Sequence, residues 1–96
     1  MSSAKKFYFR LYVAGRGPNS VQAIANLRAL CREHLPGRHK IEILDIVQNP
    51  ERALDDNVLL TPTLVKVLPG PVGRIIGNLS DTKTVMHACG LEFPRE

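Results

Sequence analysis

Phe7-Tyr8-Phe9-Arg10-Leu11-Tyr12-Val13-Ala14-Gly15-Arg16-Gly17-Pro18 changes its pattern partway along. Up to Val13 the stretch is rich in β-formers. Phe7, Phe9, Leu11 and Val13 alternate, as in a strand that buries one face. Ala14 to Pro18 breaks the alternation. Beyond it Val21, Ile24, Leu27, Cys31 and Leu35 recur at helical spacing until Pro36-Gly37 stops them. Asn19 or Ser20 is expected to cap that helix by accepting from its free N–H groups. Ile41 to Val47 is again strand-like and almost continuously apolar apart from Glu42 and Asp45. Such a run suits a parallel strand buried on both faces. Strand, helical connection and strand then make a right-handed βαβ unit.

The second half carries weaker signals. Asn49-Pro50 opens a short helix, with Pro50 where its missing N–H does no harm. Thr63 to Val67 and Arg74 to Ile76 read as strands, and Ser80 to Cys89 as a last helix capped by Ser80. Val58–Leu68 would serve as helix or strand, and only its prolines argue for the extended form. The resulting order βαβαββα predicts an α/β, thioredoxin-like fold. Ninety-six residues leave room for one domain, residues 1–96, with frayed ends expected at Met1–Ala4 and Phe93–Glu96.

Charge is unevenly placed. Residues 1–40 hold eight Lys/Arg against the single acid Glu33, whereas residues 41–96 hold five basic and eight acidic residues. This asymmetry suits oriented docking on a charged protein partner. No basic run exceeds Lys5-Lys6, so nucleic acid is not the expected partner. No segment has the roughly 18 apolar residues of a membrane span. Lys5-Lys6 before Phe7-Tyr8-Phe9 is not read as a leader, because Arg10 interrupts the apolar run. Two cysteines without a CxxC point to a reducing, cytoplasmic setting.

Each candidate chemistry meets a plainer explanation. A thioredoxin-type dithiol belongs between the first strand and its helix, where the helix N-terminus lowers a thiol pKa. Gly15-Arg16-Gly17-Pro18 stands there instead. Cys31 falls on an apolar stripe and reads as core, while Cys89 reads as exposed but partnerless. Cys31, His34 and His39, or His87 and Cys89, lack a structural zinc spacing. Asp55-Asp56 reads as a solvated face, since neighbours on a helix point apart. Gly15-Arg16-Gly17 fits a phosphate cradle at a helix N-terminus or a turn with positive φ. Tyr12 reads as a packing residue with a hydrogen-bonded hydroxyl. No cofactor is expected.

With these readings in place, the chain resembles the KaiB family of clock proteins. The resemblance rests on Leu11-Tyr12-Val13-Ala14-Gly15 with Pro18-Asn19-Ser20, and on Asp45-Ile46-Val47 with Asn49-Pro50. Leu59, Thr61-Pro62-Thr63-Leu64, Lys66-Val67-Leu68-Pro69, Pro71-Val72, Arg74-Ile75-Ile76-Gly77 and Leu79-Ser80 complete it, from about Phe7 to Val85. It implies a non-enzymatic protein that binds the hexameric ring of a KaiC-type ATPase and regulates its cycle. It also implies a KaiA-like partner, competition with a clock histidine kinase, and a homo-oligomeric (dimer or tetramer) free form.

The resemblance further implies a metamorphic chain. In that family the C-terminal half exchanges a ground-state packing for the thioredoxin-like one. Pro62, Pro69 and Pro71 put three X-Pro bonds, which isomerise slowly, into that half. Ala88 and Gly90, standing where the family carries glycine and aspartate, are expected to tilt the balance toward the thioredoxin-like form. The chain ends Leu91-Glu92-Phe93-Pro94-Arg95-Glu96, without the family's acidic tail.

The partner-binding candidates are Gln22, Glu42, Asn57, Lys66 and Arg74. Lys66 and Arg74 match the family. At Gln22, Glu42 and Asn57 the cyanobacterial members carry basic residues, which points to a diverged ATPase with compensating charge. Three alternatives stay open: a clock-independent role in stress adaptation, a thioredoxin-like sensor domain, and, from another class, a thiol–disulfide enzyme.

Overall fold

The alternation of residues 7–13 is realised as the central strand of a four-stranded sheet. The computed structural model describes residues 5–91, so the expected frayed ends and the C-terminal stretch after Leu91 lie outside the described residues. In chain order the elements are β1 (Phe7–Val13), α1 (Pro18–His34), β2 (His39–Asp45), α2 (Pro50–Asp55), β3 (Thr63–Leu68), β4 (Gly73–Ile76) and α3 (Thr82–Ala88). The sheet order is β2-β1-β3-β4. β2 runs parallel to β1, with Phe7 opposite His39 and Val13 opposite Asp45. β3 is antiparallel to β1, and β4 to β3. This is the expected thioredoxin-like order of elements.

One face of the sheet carries the main core. Phe7, Phe9, Leu11 and Val13 of β1 and Leu64 of β3 pack with Ala23, Leu27, Leu30 and Cys31 of α1. Val85 and Met86 of α3 join them. On the opposite face Tyr12, Leu44 and Val65 meet Ala53 of the short α2. Because α2 has only six residues, it covers one end of that face and leaves the other to polar side chains.

Several sequence expectations are corrected by the fold. Asn19 and Ser20 do not cap α1. Gly17 holds the cap position without a side-chain bond, Pro18 opens the helix, and Ser20 is buried. Proline needs no N–H partner there, so the helix starts two residues earlier. Val21, expected on the apolar stripe, is exposed, and Ala23 takes the buried position. β2 is an edge strand ending at Asp45, and Val47 is exposed. The Asp45 carboxylate accepts from Val47 N–H at 2.8 Å and turns the chain before the apolar run ends. α3 is capped by Asp81, whose carboxylate accepts from Thr84 N–H at 3.2 Å, rather than by Ser80.

Asn57, just after α2, has φ 55° and so lies in the left-handed region. Asparagine tolerates that region; a β-branched side chain does not. Asn57→Gly is therefore expected to leave stability unchanged or slightly higher. Asn57→Val is expected to lower it by about 1–2 kcal/mol in urea denaturation.

Candidate functional site

Tyr8, Arg10 and Tyr12 alternate with the core-facing residues of β1 and so point to the α2 side. There they meet carboxylates from two other elements. The Tyr12 hydroxyl donates to the Asp56 carboxylate and lies 3.1 Å from the Arg52 carbonyl. Arg10 donates from Nη1 to both Asp56 oxygens, at 3.2 and 3.0 Å. Tyr8 donates to Glu42 at 2.5 Å, and Arg52 Nη2 donates to the same oxygen at 2.9 Å. Arg10 and Lys40 each stand 5.4 Å from the centroid of the Tyr8 ring. The result is an alternating chain of charges that ties β1, β2 and α2 together.

This network shifts its members in consistent directions. Arg52, then Tyr8, holds the Glu42 carboxyl below its usual range. Partial burial pushes Asp56 up, but hydrogen bonds from Tyr12 and Arg10 outweigh it and leave the carboxyl lowered. Burial first, then the Asp56 hydrogen bond, pushes the Tyr12 phenol up to about 12. The expectation of a solvated Asp55-Asp56 pair thus fails at Asp56, whose charge is spent on Arg10 and Tyr12. Carboxyls depressed in the fold contribute stability above their unfolded pKa values of about 4, and lose it as pH falls through the folded values. Acid unfolding below about pH 4 is accordingly expected to become shallower in Glu42→Gln and Asp56→Asn, read by circular dichroism against pH.

The network ends at a more open surface. Arg74 of β4 donates to the Asn57 carbonyl at 3.2 Å, and Thr63 donates to the Leu60 carbonyl at 2.5 Å. Gly77 N–H donates to the Pro62 carbonyl at 2.9 Å. These bonds gather the α2–β3 loop and β4 into one surface that exposes Leu54, Leu59, Leu60 and Ile76, Leu59 at 91%. Large exposed aliphatic side chains grouped with a few polar ones are a usual mark of a protein-docking surface.

Of the five partner-binding candidates, the fold brings together Asn57 and Arg74. Gln22 stands elsewhere, on α1, where its oxygen accepts from Asn78 at 3.0 Å. Glu42 is engaged by Tyr8 and Arg52. Lys66 is buried at 7% exposure, and its amine donates to the Pro69 carbonyl at 2.8 Å, so it is no surface contact in this conformation. The bonds preceding Pro62, Pro69 and Pro71 are cis. Ala88 is the last residue of α3, and Gly90, at φ 78°, follows its end. The alternation of β1 already places Tyr8, Arg10 and Tyr12 on one side; nothing local marks Asp56 and Arg52 as their partners.

The same β1-to-Gly77 framework is shared with known proteins. Residues 10–91 match the KaiB domain family. The chain belongs to the KaiB family. It is 47% identical over 94 residues to the circadian clock oscillator protein KaiB of Microcystis aeruginosa, covering 97% of this chain and 90% of that protein. It is 45% identical over 93 residues to its counterpart in Synechococcus elongatus, covering 97% and 91%. Its fold is similar to the N-terminal domain of Synechococcus elongatus SasA, with TM-score 0.74 and 17% identity over 100% of this chain and 94% of that one. It is also similar to mitochondrial thioredoxin 3 of Saccharomyces cerevisiae, with TM-score 0.72 and 19% identity over 91% and 80%.

Against the thioredoxin fold, this KaiB-family chain places its thiols deep in the core. Cys31 and Cys89 are both buried, which corrects the expectation of an exposed Cys89. Burial pushes the Cys31 thiol up to about 12 and the Cys89 thiol up to about 11. Protonated, inaccessible thiols are poor nucleophiles. Between β1 and α1, Gly15 has φ 68° and its N–H donates to the Asp45 carboxylate at 3.1 Å. That amide, which a phosphate cradle would use, already holds a carboxylate. Among the described residues no three His, Cys, Asp or Glu side chains are grouped to hold a metal, and no helix is long and apolar enough to cross a membrane.

Proposed function

We propose that this chain is a non-enzymatic, cytoplasmic regulator that docks on the hexameric ring of a KaiC-type ATPase and modulates its phosphorylation and ATPase cycle. The observation that carries this reading is the KaiB-domain match across residues 10–91. The surface of Leu54, Leu59, Leu60 and Ile76 beside Asn57 and Arg74 supplies the place: apolar area to bury and polar groups to orient it. Gln22, held by Asn78 just past the end of β4, would extend the contact along α1. A KaiA-like protein or a clock histidine kinase would be a second partner. The free chain would pair with itself as a dimer or tetramer.

In this proposal the thioredoxin-like form is the binding form, and the partner draws the population toward it. Among the described residues, all but one of the strongly exposed large aliphatic side chains lie between Val47 and Ile76. A segment with that much uncovered apolar surface has something to gain from a second packing.

Co-migration with the same organism's KaiC-type hexamer in size-exclusion chromatography, with ATP and without nucleotide, tests the reading. A nucleotide-dependent complex, weakened at least about tenfold by Leu59→Asp with an unchanged melting temperature, is the expected result. No complex under any nucleotide condition would sink it.

Glu42 favours a second reading. By the family resemblance it takes the place of a base, and here its charge is met inside the chain by Arg52 and Tyr8. A clock-independent role on a diverged KaiC-like ATPase follows from that change. Complex formation with this organism's ATPase but not with a cyanobacterial KaiC would support it.

A further inference from the structure

At the opposite end of the sheet, α1 ends beside the start of β2. The two leave an open depression of about 610 Å³ lined by Arg28, Arg32, Pro36, Gly37, His39 and Ile41. Arg28 and Arg32 are four residues apart, so they rise from one face of the helix a turn apart. Neither is ion-paired with a described carboxylate, and the carboxylate of Glu33, next to Arg32, lies 3.8 Å from His34 Nε2. His39 is fixed in place: its Nδ1 lies 2.7 Å from the Leu35 carbonyl. A carbonyl only accepts, so Nδ1 carries the proton, and Nε2 of the neutral ring can accept from a ligand hydroxyl. Lys5, Arg38 and Lys40 add positive charge nearby in the fold, with Arg38 itself donating to the Lys5 carbonyl at 3.2 Å.

We propose that this depression binds a small organic phosphate. Arg28 and Arg32 take the dianionic phosphomonoester group, His39 Nε2 accepts from a hydroxyl of the ligand, and the body of the ligand lies on Pro36 and Ile41. Guanidinium forks match phosphate oxygens bidentately, and two uncompensated guanidinium charges match a dianion. The volume lies in the range of small-molecule sites and exceeds what phosphate alone would fill. Surface arginines are ordinarily just solvated. Here they differ from Arg10 and Arg52, each of which has its own acid, whereas the rim of this depression has none. The C-terminal end of a helix disfavours anions. That effect is reduced at two carbonyls: that of Cys31 accepts from Leu35 N–H, and that of Leu35 accepts from Arg38 N–H and His39.

The site is independent of the docking surface. His39 pairs with Phe7 at the start of β1, whereas Thr63 pairs with Tyr12 near its end, roughly 17 Å along the strand.

Titration of the full chain with AMP, adenosine and inorganic phosphate at constant ionic strength, followed by amide and arginine Nε–H NMR shifts, tests the proposal. The expected result is saturable shifts with AMP at Arg28, Arg32, His39 and Ile41, with weaker shifts at the same residues for inorganic phosphate and none for adenosine. Affinity for AMP should fall at least about tenfold in Arg28→Gln/Arg32→Gln, with an unchanged circular dichroism spectrum and melting temperature. Arg28→Lys/Arg32→Lys, which keeps the charge without the fork, should fall between the two. Adenosine shifting the same residues as AMP would overturn the proposal, as would AMP shifts that do not saturate or that survive in the Gln variant. Inorganic phosphate binding as tightly as AMP would overturn the assignment to an organic phosphate.

Discussion

Asp56→Ala is expected to destabilise the chain by about 2–3 kcal/mol. Its carboxylate is the acceptor for the Tyr12 hydroxyl and for both Arg10 contacts. Tyr12 is fully buried, so truncation leaves its hydroxyl only the Arg52 carbonyl, 3.1 Å away, in place of a charged acceptor. Hydrogen bonds to charged groups contribute about 1.5–3 kcal/mol. The side chains of Arg10 and Asp56 keep 25% and 17% exposure, so solvent recovers part of the loss and the estimate stays below the sum. Tyr12→Phe removes the donor itself. The double variant Asp56→Ala/Tyr12→Phe is therefore expected to lose less than the two single losses together, a coupling of about 0.5 kcal/mol or more. Urea denaturation of the four proteins measures it. Additive losses would mean that Tyr12 and Asp56 are neighbours without being partners.

Met86→Ala is expected to cost about 3 kcal/mol, in the range for a large core side chain cut back to alanine. Met86 is 1% exposed, and with Val85 and Cys89 it forms the face that holds α3 to the sheet. α3 has seven residues, far too few to persist alone in water. Its loosening should therefore precede unfolding of β1 and α1. The two thiols report this separately, since both are buried and held protonated in the native fold. Alkylation by iodoacetamide should speed up by about a hundredfold in Met86→Ala, the rate equivalent of about 3 kcal/mol, with Cys89 reacting well ahead of Cys31. Equal rates at both cysteines would show one global opening and would count against a separately rearranging C-terminal half.

The fold is most legible in the sequence where the information is local. β1 and α1 follow from the spacing of Phe7, Phe9, Leu11 and Val13 and from the helical recurrence of Leu27 and Cys31, because side-chain period and backbone geometry are two views of one constraint. Pro50 and Gly90 mark a helix start and end for equally local reasons, a missing N–H and a positive φ. The KaiB resemblance was legible for a similar reason: its motifs lie mostly in turns and strand ends, where few residue types fit. The weak signals of the second half still sufficed for the order of elements, though not for caps and edges.

Other features depended on residues far apart in the chain. Asp56 reads as one of two exposed acids until β1 delivers Arg10 and Tyr12, forty-six and forty-four positions away. The run Ile41–Val47 suggests a strand buried on both faces, but a run of residues does not state how many neighbours a strand has, and β2 has one. Lys66 looks like a surface charge until the strand register turns it inward, to the Pro69 carbonyl. The depression of Arg28, Arg32 and His39 exists only because parallel pairing sets the start of β2 beside the end of α1. Local periodicity specifies which way a side chain points. What it then meets is set by strand order and register, and these arise from the cooperative burial of the whole apolar surface.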